Sequence, residues 1–280
     1  MKNKLLRLLL FLFVTGTHAQ ADRVSVIRSQ EGTKLVVNGK DFMMNGMNWD
    51  YIPIGTNTVN AEFWKKPDDI IKAGLDTEMS LLKNMGVNVI RQYTGVPAKW
   101  IRYIYENYGI YTMLNHSFGR YGLTLKGVWT PVTIYDDPVT QEFLMSEVEQ
   151  LVNDYKNTPG LLLYLLGNEN NYGLFWQGAE TEDFPDDEGR IEVIGESRGR
   201  PMYKLMNEAA KKMKALDASH PVAICNGDVL FIDIVAEECK DVDIYGTNTY
   251  RGASFGDMFQ VVKDKLDMPV MFTEFGADAF

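Results

Sequence analysis

Residues 161–171 read LLLYLLGNENN, and this stretch limits the folds open to the chain more than any other. Six bulky apolar residues follow one another without polar alternation, which suits a strand buried on both faces. Gly167 stops the run, and a residue without a Cβ lets backbones approach closely there. Asn168 and Glu169 come next. A carboxylate at the C-terminal end of a buried parallel strand stands where an α/β barrel places its chemistry. The same two residues would also suit a loop that caps the next helix.

The flanking sequence alternates strand and helix. Residues 23–28 alternate as RVSVIR, residues 34–37 return, and Asn38-Gly39 is a strong two-residue hairpin turn. Residues 20–44 therefore read as an N-terminal β-ribbon that runs into a first barrel strand ending at Asn48 and Trp49. Residues 51–66 are rich in Pro, Asn, Gly and aromatics and suit a loop beside a cleft. Helices are predicted over 76–85, 97–108, 137–156, 201–216, 231–238 and 256–266. Strands fall between them at 86–91, 109–114, 161–166, 221–225, 242–246 and 269–273. The acidic, Gly-containing segment 177–200 reads as a long surface loop near the cleft.

Such alternation argues for a parallel α/β sheet, here a (β/α)8 TIM-type barrel over residues 45–280. Asn48, Arg91, His116, Glu169, Asn226, Tyr250 and Glu274 each follow a strand, as residues on one barrel rim would. An open doubly wound sheet is the main competitor, but no Gly-rich phosphate loop follows the first strand. Seven barrel strands are legible, so the barrel is expected to be truncated, its eighth βα unit missing.

Composition narrows the function. Residues 1–19 have a basic start, an apolar run over 5–14 interrupted by Arg7, and small residues at Thr17 and Ala19. They read as a signal peptide cleaved after Ala19, which predicts a secreted or periplasmic protein. The apolar run is well short of the roughly 20 residues a membrane span needs, so no stable insertion is expected. Losing Lys2, Lys4 and Arg7 would take the net charge from −10 to −13, a surface that repels nucleic acid. Cys225 and Cys239 are the only cysteines, and a single bridge between them stays open. His116 and His220, the histidines beyond the leader, sit in no metal-ligand spacing, and no metal or cofactor is expected.

Glu169 and Glu274 lie roughly a hundred residues apart, each after a buried strand on the same predicted rim. Two carboxylates facing one another across a pocket are the equipment of glycoside hydrolysis. At this point the sequence resembles retaining β-glycosidases of clan A, especially the catalytic barrels of glycoside hydrolase family 2. The resemblance runs from about Lys34 to Phe280, and its most specific parts are Gly167-Asn168-Glu169 and Thr273-Glu274-Phe275-Gly276-Ala277.

The resemblance implies that Glu169 is the general acid/base, Glu274 the nucleophile, and Asn168 the amide that binds the sugar 2-hydroxyl. It implies that Arg91 holds the nucleophile ionised and that Tyr250 orients it, while His116 resembles a histidine of related families. Read alone, Arg91 would also serve as the partner of a surface acid and Tyr250 as a core aromatic. The sequence departs from the pattern in having Tyr164 where a Trp often precedes the motif, and in lacking the eighth strand with its sugar-stacking Trp. Trp49, Trp64, Trp129 and Trp176 are candidates for stacking on sugar rings or for ordinary packing; Asn48, Asn170, Asn171, Asn226 and Asp228 are candidates for hydroxyl contacts by location. The expected substrate is a β-glycoside within an oligo- or polysaccharide. A transglycosylase using the same carboxylates, and a barrel that binds carbohydrate without turnover, are the alternatives.

Overall fold

The computed structural model describes residues 21–30, 32–50, 63–175 and 187–277. The expected leader, most of the loop read over 51–66, and Trp176 lie outside the described residues. Asn38 and Gly39 take φ of 50° and 79°, as a two-residue I′ turn requires. The ribbon around that turn is an antiparallel meander of β1 (Val24–Ser29), β2 (Gly32–Val37) and β3 (Lys40–Phe42).

From β4 (Gly46–Asn48) the chain runs through α1 (Asp68–Asn84), β5 (Val89–Tyr93), α2 (Ala98–Tyr108) and β6 (Tyr111–His116). A two-stranded hairpin, β7 (Leu123–Leu125) and β8 (Val128–Thr130), precedes α3 (Pro138–Tyr155) and β9 (Leu161–Leu166). Asp137 starts α3 by accepting from Thr140 N at 2.8 Å, with Pro138 at the first helical position. Then come α4 (Asn170–Gly173), α5 (Glu188–Ile194), α6 (Arg200–Leu216), β10 (Val222–Gly227), α7 (Ile232–Glu238), β11 (Ile244–Thr249), α8 (Met258–Lys265) and β12 (Val270–Phe275).

Seven strands form one sheet in the order β4-β5-β6-β9-β10-β11-β12, all neighbours parallel. The strands follow one another around the sheet in chain order, as a barrel demands. Among the described residues β4 and β12 each pair on one side only, so the barrel is open at a seam between them. All six residues of β9 are fully buried, and each of its leucines contributes about 2 kcal/mol through burial. Leu161, Tyr164 and Leu166 face Leu144, Val148 and Met206 in the helix layer, whereas Leu162, Leu163 and Leu165 face the barrel interior.

The ribbon plugs the N-terminal mouth. Val24, Leu35 and Val37 join Val89, Met113, Leu163 and Ala223 in the inner apolar cluster. Val24 N donates to Ser219 O at 2.7 Å, which fastens the plug to the segment before β10. A cavity of about 950 Å³ runs along the seam from Leu35 and Phe42 of the ribbon to Arg91 and Glu274 at the opposite mouth. Cys225 and Cys239 are buried and free, so the bridge left open by the sequence is not made.

Two bulges break strand alternation. The register steps from Thr112–Leu161 to Met113–Leu163 between β6 and β9, and from Thr247–Phe272 to Asn248–Glu274 between β11 and β12. An extra residue turns consecutive side chains to one face. Leu162 and Leu163 both point inward as a result, and so do Thr273 and Glu274. The bulges therefore lie on the two strands that lead to Glu169 and Glu274.

Two local expectations are corrected, and one element went unread. The helix expected over 76–85 begins eight residues earlier, at Asp68, because Ile71 and Leu75 extend its buried stripe through Met79 and Leu82. The segment 177–200 is not all loop: α5 and a π-type turn at Gly195–Gly199 lead straight into α6. Asp187 opens α5 by accepting from Gly189 N at 3.0 Å, and Ile194 packs on the helix-layer core. The β7–β8 hairpin was not read, because strands of three residues are too short to show alternation.

Candidate active site

The motif after β9 is held by its own side chains. Gly167 has φ +83°, and a Cβ there would meet Asn170 Oδ1 at 2.7 Å and Met206 Cε at 3.0 Å. Only glycine fits. Asn170 Oδ1 accepts from Asn168 N at 2.8 Å while its Nδ2 donates to Phe118 O at 2.9 Å, tying the motif to the loop after β6. Asn171 clamps the other side, exchanging bonds of 2.8 Å with Gly227 N and Gly227 O of β10.

Between these clamps Glu169 adopts the left-handed region, φ 54° and ψ 38°. That conformation costs a non-glycine residue about 1 kcal/mol. Its N–H bonds Cys225 O at 2.9 Å, which helps hold the turn. The carboxylate is directed to β11, where Asn248 Nδ2 donates to Glu169 Oε1 at 3.1 Å.

Glu274 meets the same rim from β12. Oε1 accepts from Arg91 Nη1 at 2.7 Å and Oε2 from the Tyr250 hydroxyl at 2.8 Å. Arg91 is itself buried and shared: Nε donates to Asn115 Oδ1 and Nη2 to Asn168 Oδ1, each at 2.8 Å. Asn248 Nδ2 also reaches Asn168 Oδ1 at 3.3 Å, and Thr273 Oγ1 holds Asn248 Oδ1 at 2.6 Å. A single polar network thus joins both carboxylates.

Glu274 faces one cation and one neutral donor. Burial works against the Arg91 charge, yet Cys225, Tyr93 and Glu274 around it leave its pKa above the ordinary value. The guanidinium is a fixed cation. Burial, with the hydrogen bond to Glu274 and its charge, pushes Tyr250 up to about 12, so its hydroxyl remains a donor. Burial likewise pushes the Cys225 thiol up, keeping it neutral beneath the network.

The structure brings Arg91, Asn168, Glu169, Tyr250 and Glu274 together, but Arg91 lies in the middle of β5 and Glu274 within β12, where the sequence reading had each follow its strand. Asn48 lines the adjoining cavity, paired in register with Arg91. Other candidates are used elsewhere. His116 points to the helix layer, where Nδ1 accepts from Phe118 N at 3.1 Å and Nε2 lies 3.3 Å from Glu147 Oε2 of α3. Strand alternation explains this, since Met113 and Asn115 take the inward positions of β6 and Leu114 and His116 the outward ones. Trp49 packs edge-on to Trp64 in the helix-layer core, away from the cavity. Asn171 is fully buried with both amide atoms on Gly227, so the fold uses it as a clamp. Asp228 pairs with Arg251, and Asn226 bonds Tyr203 and Tyr245.

Sequence reasoning passed over Asn115, Asn248 and Tyr121. The inward parity of Asn115, one residue before His116, was the available signal; Tyr121, which accepts from Asn168 Nδ2 at 2.9 Å, had none. Among the described residues no group of three or more His, Cys, Asp or Glu is placed to hold a metal ion. No helix among them is long and apolar enough to cross a membrane.

Fold and rim together define an α/β-barrel domain with two carboxylates at its C-terminal mouth. Residues 28–280 match the TIM barrel domain of glycosyl hydrolases family 2, and the chain belongs to that family. A β-galactosidase of Arthrobacter sp. (strain B7) is 24% identical over 163 residues, covering 58% of this chain and 15% of the relative. A second β-galactosidase, of Lactococcus lactis subsp. lactis (strain IL1403), is 23% identical over 159 residues, 56% of this chain and 14% of the relative. The matched part thus spans about a seventh of those relatives' length. Among solved structures, a Parabacteroides merdae β-glucuronidase superposes with a TM-score of 0.55 at 19% identity, over 91% of this chain and 27% of the other. A β-mannanase from the blue mussel Mytilus edulis gives 0.58 at 14% identity, over 91% and 82%. These structures share the barrel fold.

Proposed function

We propose that this chain is the catalytic domain of an exported β-glycosidase that cleaves O-glycosidic bonds with retention of configuration. One observation carries the reading: Glu274 is held at once by the Arg91 guanidinium and the Tyr250 hydroxyl, while Glu169 stands on the same rim against Asn248. The family, and relatives named as β-galactosidases, support a β-glycoside as substrate.

In this reading a carboxylate oxygen of Glu274 attacks the anomeric carbon. The bond from that carbon to the glycosidic oxygen breaks, its electron pair leaves with the oxygen, and Glu169 supplies the proton. Glu169, now a carboxylate, takes a proton from water. The hydroxyl adds to the anomeric carbon, and Glu274 departs as the free carboxylate. Arg91 and Tyr250 hold and aim the Glu274 carboxyl group in the resting state. Asn168 serves the sugar 2-hydroxyl, a bond that strengthens as positive charge develops on the ring.

Proton NMR of the first product from an aryl β-glycoside tests the reading. The β-anomer is expected before mutarotation, and the α-anomer as first product would overturn it. Glu274→Ala is expected to be inactive until azide restores turnover as the α-glycosyl azide. Glu169→Ala is expected to spare the first step for good leaving groups and to give the β-azide. Export is tested by intact mass: secreted protein should begin at Gln20, and retention of Met1 would count against it.

A further inference from the structure

The loop after β6 presents aromatic surface at Asn168, the residue before Glu169, that the proposed mechanism leaves unused. Arg120 Nε donates to Asn168 O, and the Tyr121 hydroxyl accepts from Asn168 Nδ2, both at 2.9 Å. The loop is thereby bonded to the residue that precedes the acid/base. The Arg120 guanidinium sits 5.4 Å from the centroid of the Tyr121 ring, which steadies that ring.

One residue on, Gly122 has φ +91°, and a Cβ there would meet Trp129 Cζ2 at 2.8 Å and Cη2 at 2.9 Å. The Trp129 indole of the β7–β8 hairpin therefore rests directly on the Gly122 backbone, a position only glycine permits. Even so, Trp129 remains 59% exposed and Tyr121 42% exposed. Packing of a three-residue hairpin does not require a tryptophan left mostly in water. A large ring fixed in place and open on one side suits a flat apolar partner with polar edges, and the C–H face of a pyranose is such a partner.

The position selects which sugar. Asn168 lies between the two halves of the site, bonded to Arg91 on the Glu274 side and to Tyr121 on the hairpin side. The acid that protonates the leaving oxygen faces the leaving group. We propose that Trp129, with Tyr121, is a stacking platform for the sugar on the leaving-group side of the cleaved bond, and that the substrate is an oligo- or polysaccharide. The proposal rests on the glycosidase reading of Glu169 and Glu274.

The test compares two substrates with one glycone: lactose, which places a sugar on the platform, and β-galactosyl fluoride, which places none. Cellobiose and β-glucosyl fluoride form a second pair. In Trp129→Ala the ratio of kcat/KM for disaccharide to that for fluoride is expected to fall about tenfold. Trp129→Phe is expected to recover most of the loss. A ratio within twofold of the parent overturns the platform. If the parent protein turns over neither fluoride, its glycone is neither galactose nor glucose or it is no glycosidase, and saturation-transfer NMR of cellotetraose reads the platform independently of turnover. Transfer to its reducing-end sugar that is lost in Trp129→Ala upholds the platform; no transfer, or transfer unchanged by the substitution, overturns it.

Discussion

Arg91 and Glu274, 183 positions apart in the chain, form an ion pair of 2.7 Å across the lumen of the open barrel. Arg91 is the middle residue of β5, the strand next to one free edge of the sheet, and Glu274 lies on β12, which is the other edge. The contact therefore aims the proposed nucleophile and also ties together the two sides of the seam.

Arg91→Lys tests the geometry of that tie. One ammonium cannot reproduce a fork that serves Glu274, Asn115 and Asn168 together. The variant is expected to lose about 10²- to 10³-fold in kcat with little change in KM. Arg91→Ala strands a part-buried carboxylate and is expected to cost about 3 kcal/mol as well, measured by urea unfolding.

Tyr250→Phe removes one donor from Glu274 and leaves the ring in place. A hydrogen bond to a charged group is worth about 1.5–3 kcal/mol, so kcat is expected to fall about 10- to 100-fold. With its hydroxyl pushed up to about 12, Tyr250 is protonated throughout the working range. The alkaline limb of the rate profile should therefore sit at the same pH in the variant. A limb displaced by a full unit would show that Tyr250 ionises within it.

His116 and Asn115 are adjacent, and the fold assigns them different tasks. His116→Gln is expected to keep kcat/KM within about twofold and to cost about 1 kcal/mol in stability, because its bonds lie in the helix layer. Asn115→Ala removes the acceptor for Arg91 Nε and should lower kcat at least about tenfold. Steady-state kinetics on the two variants separates the assignments.

Asp217 sets an acid limit on the fold. It accepts from the Tyr164 hydroxyl at 2.9 Å and Ser219 N at 2.8 Å, and His220 Nδ1 lies 2.7 Å away. Burial works to raise its pKa, but the bond and charge of His220, with Ser219 and Tyr164, leave it below the ordinary value. A depressed folded pKa gives stability that is complete above the unfolded value of about 3.9 and is lost as pH falls below it. Urea midpoints should drop as the pH falls below about 4 in the parent protein. They should drop less steeply in Asp217→Asn, whose stability at pH 7 is expected to be about 3 kcal/mol lower.

What the sequence determined by itself was local chemistry and its order along the chain. The unbroken apolar run of residues 161–166, the Asn38-Gly39 turn and the strand–helix alternation are short-range properties, and they sufficed for a parallel barrel with a ribbon. Glu169, Glu274, Arg91 and Tyr250 were legible because each lies in or just after the C-terminal part of a strand, although β5 runs two residues past Arg91 and β12 includes Glu274. Direction was decided only in three dimensions. A side chain's face alternates with period two, so one bulged residue in β12 lets both Thr273 and Glu274 look inward, while unbroken alternation in β6 sends His116 outward and leaves Asn115 beneath Arg91. Asn248 and Tyr121 came into the site for the same reason: their partners are distant in sequence, and only packing of the strands and loops brings them within bonding reach.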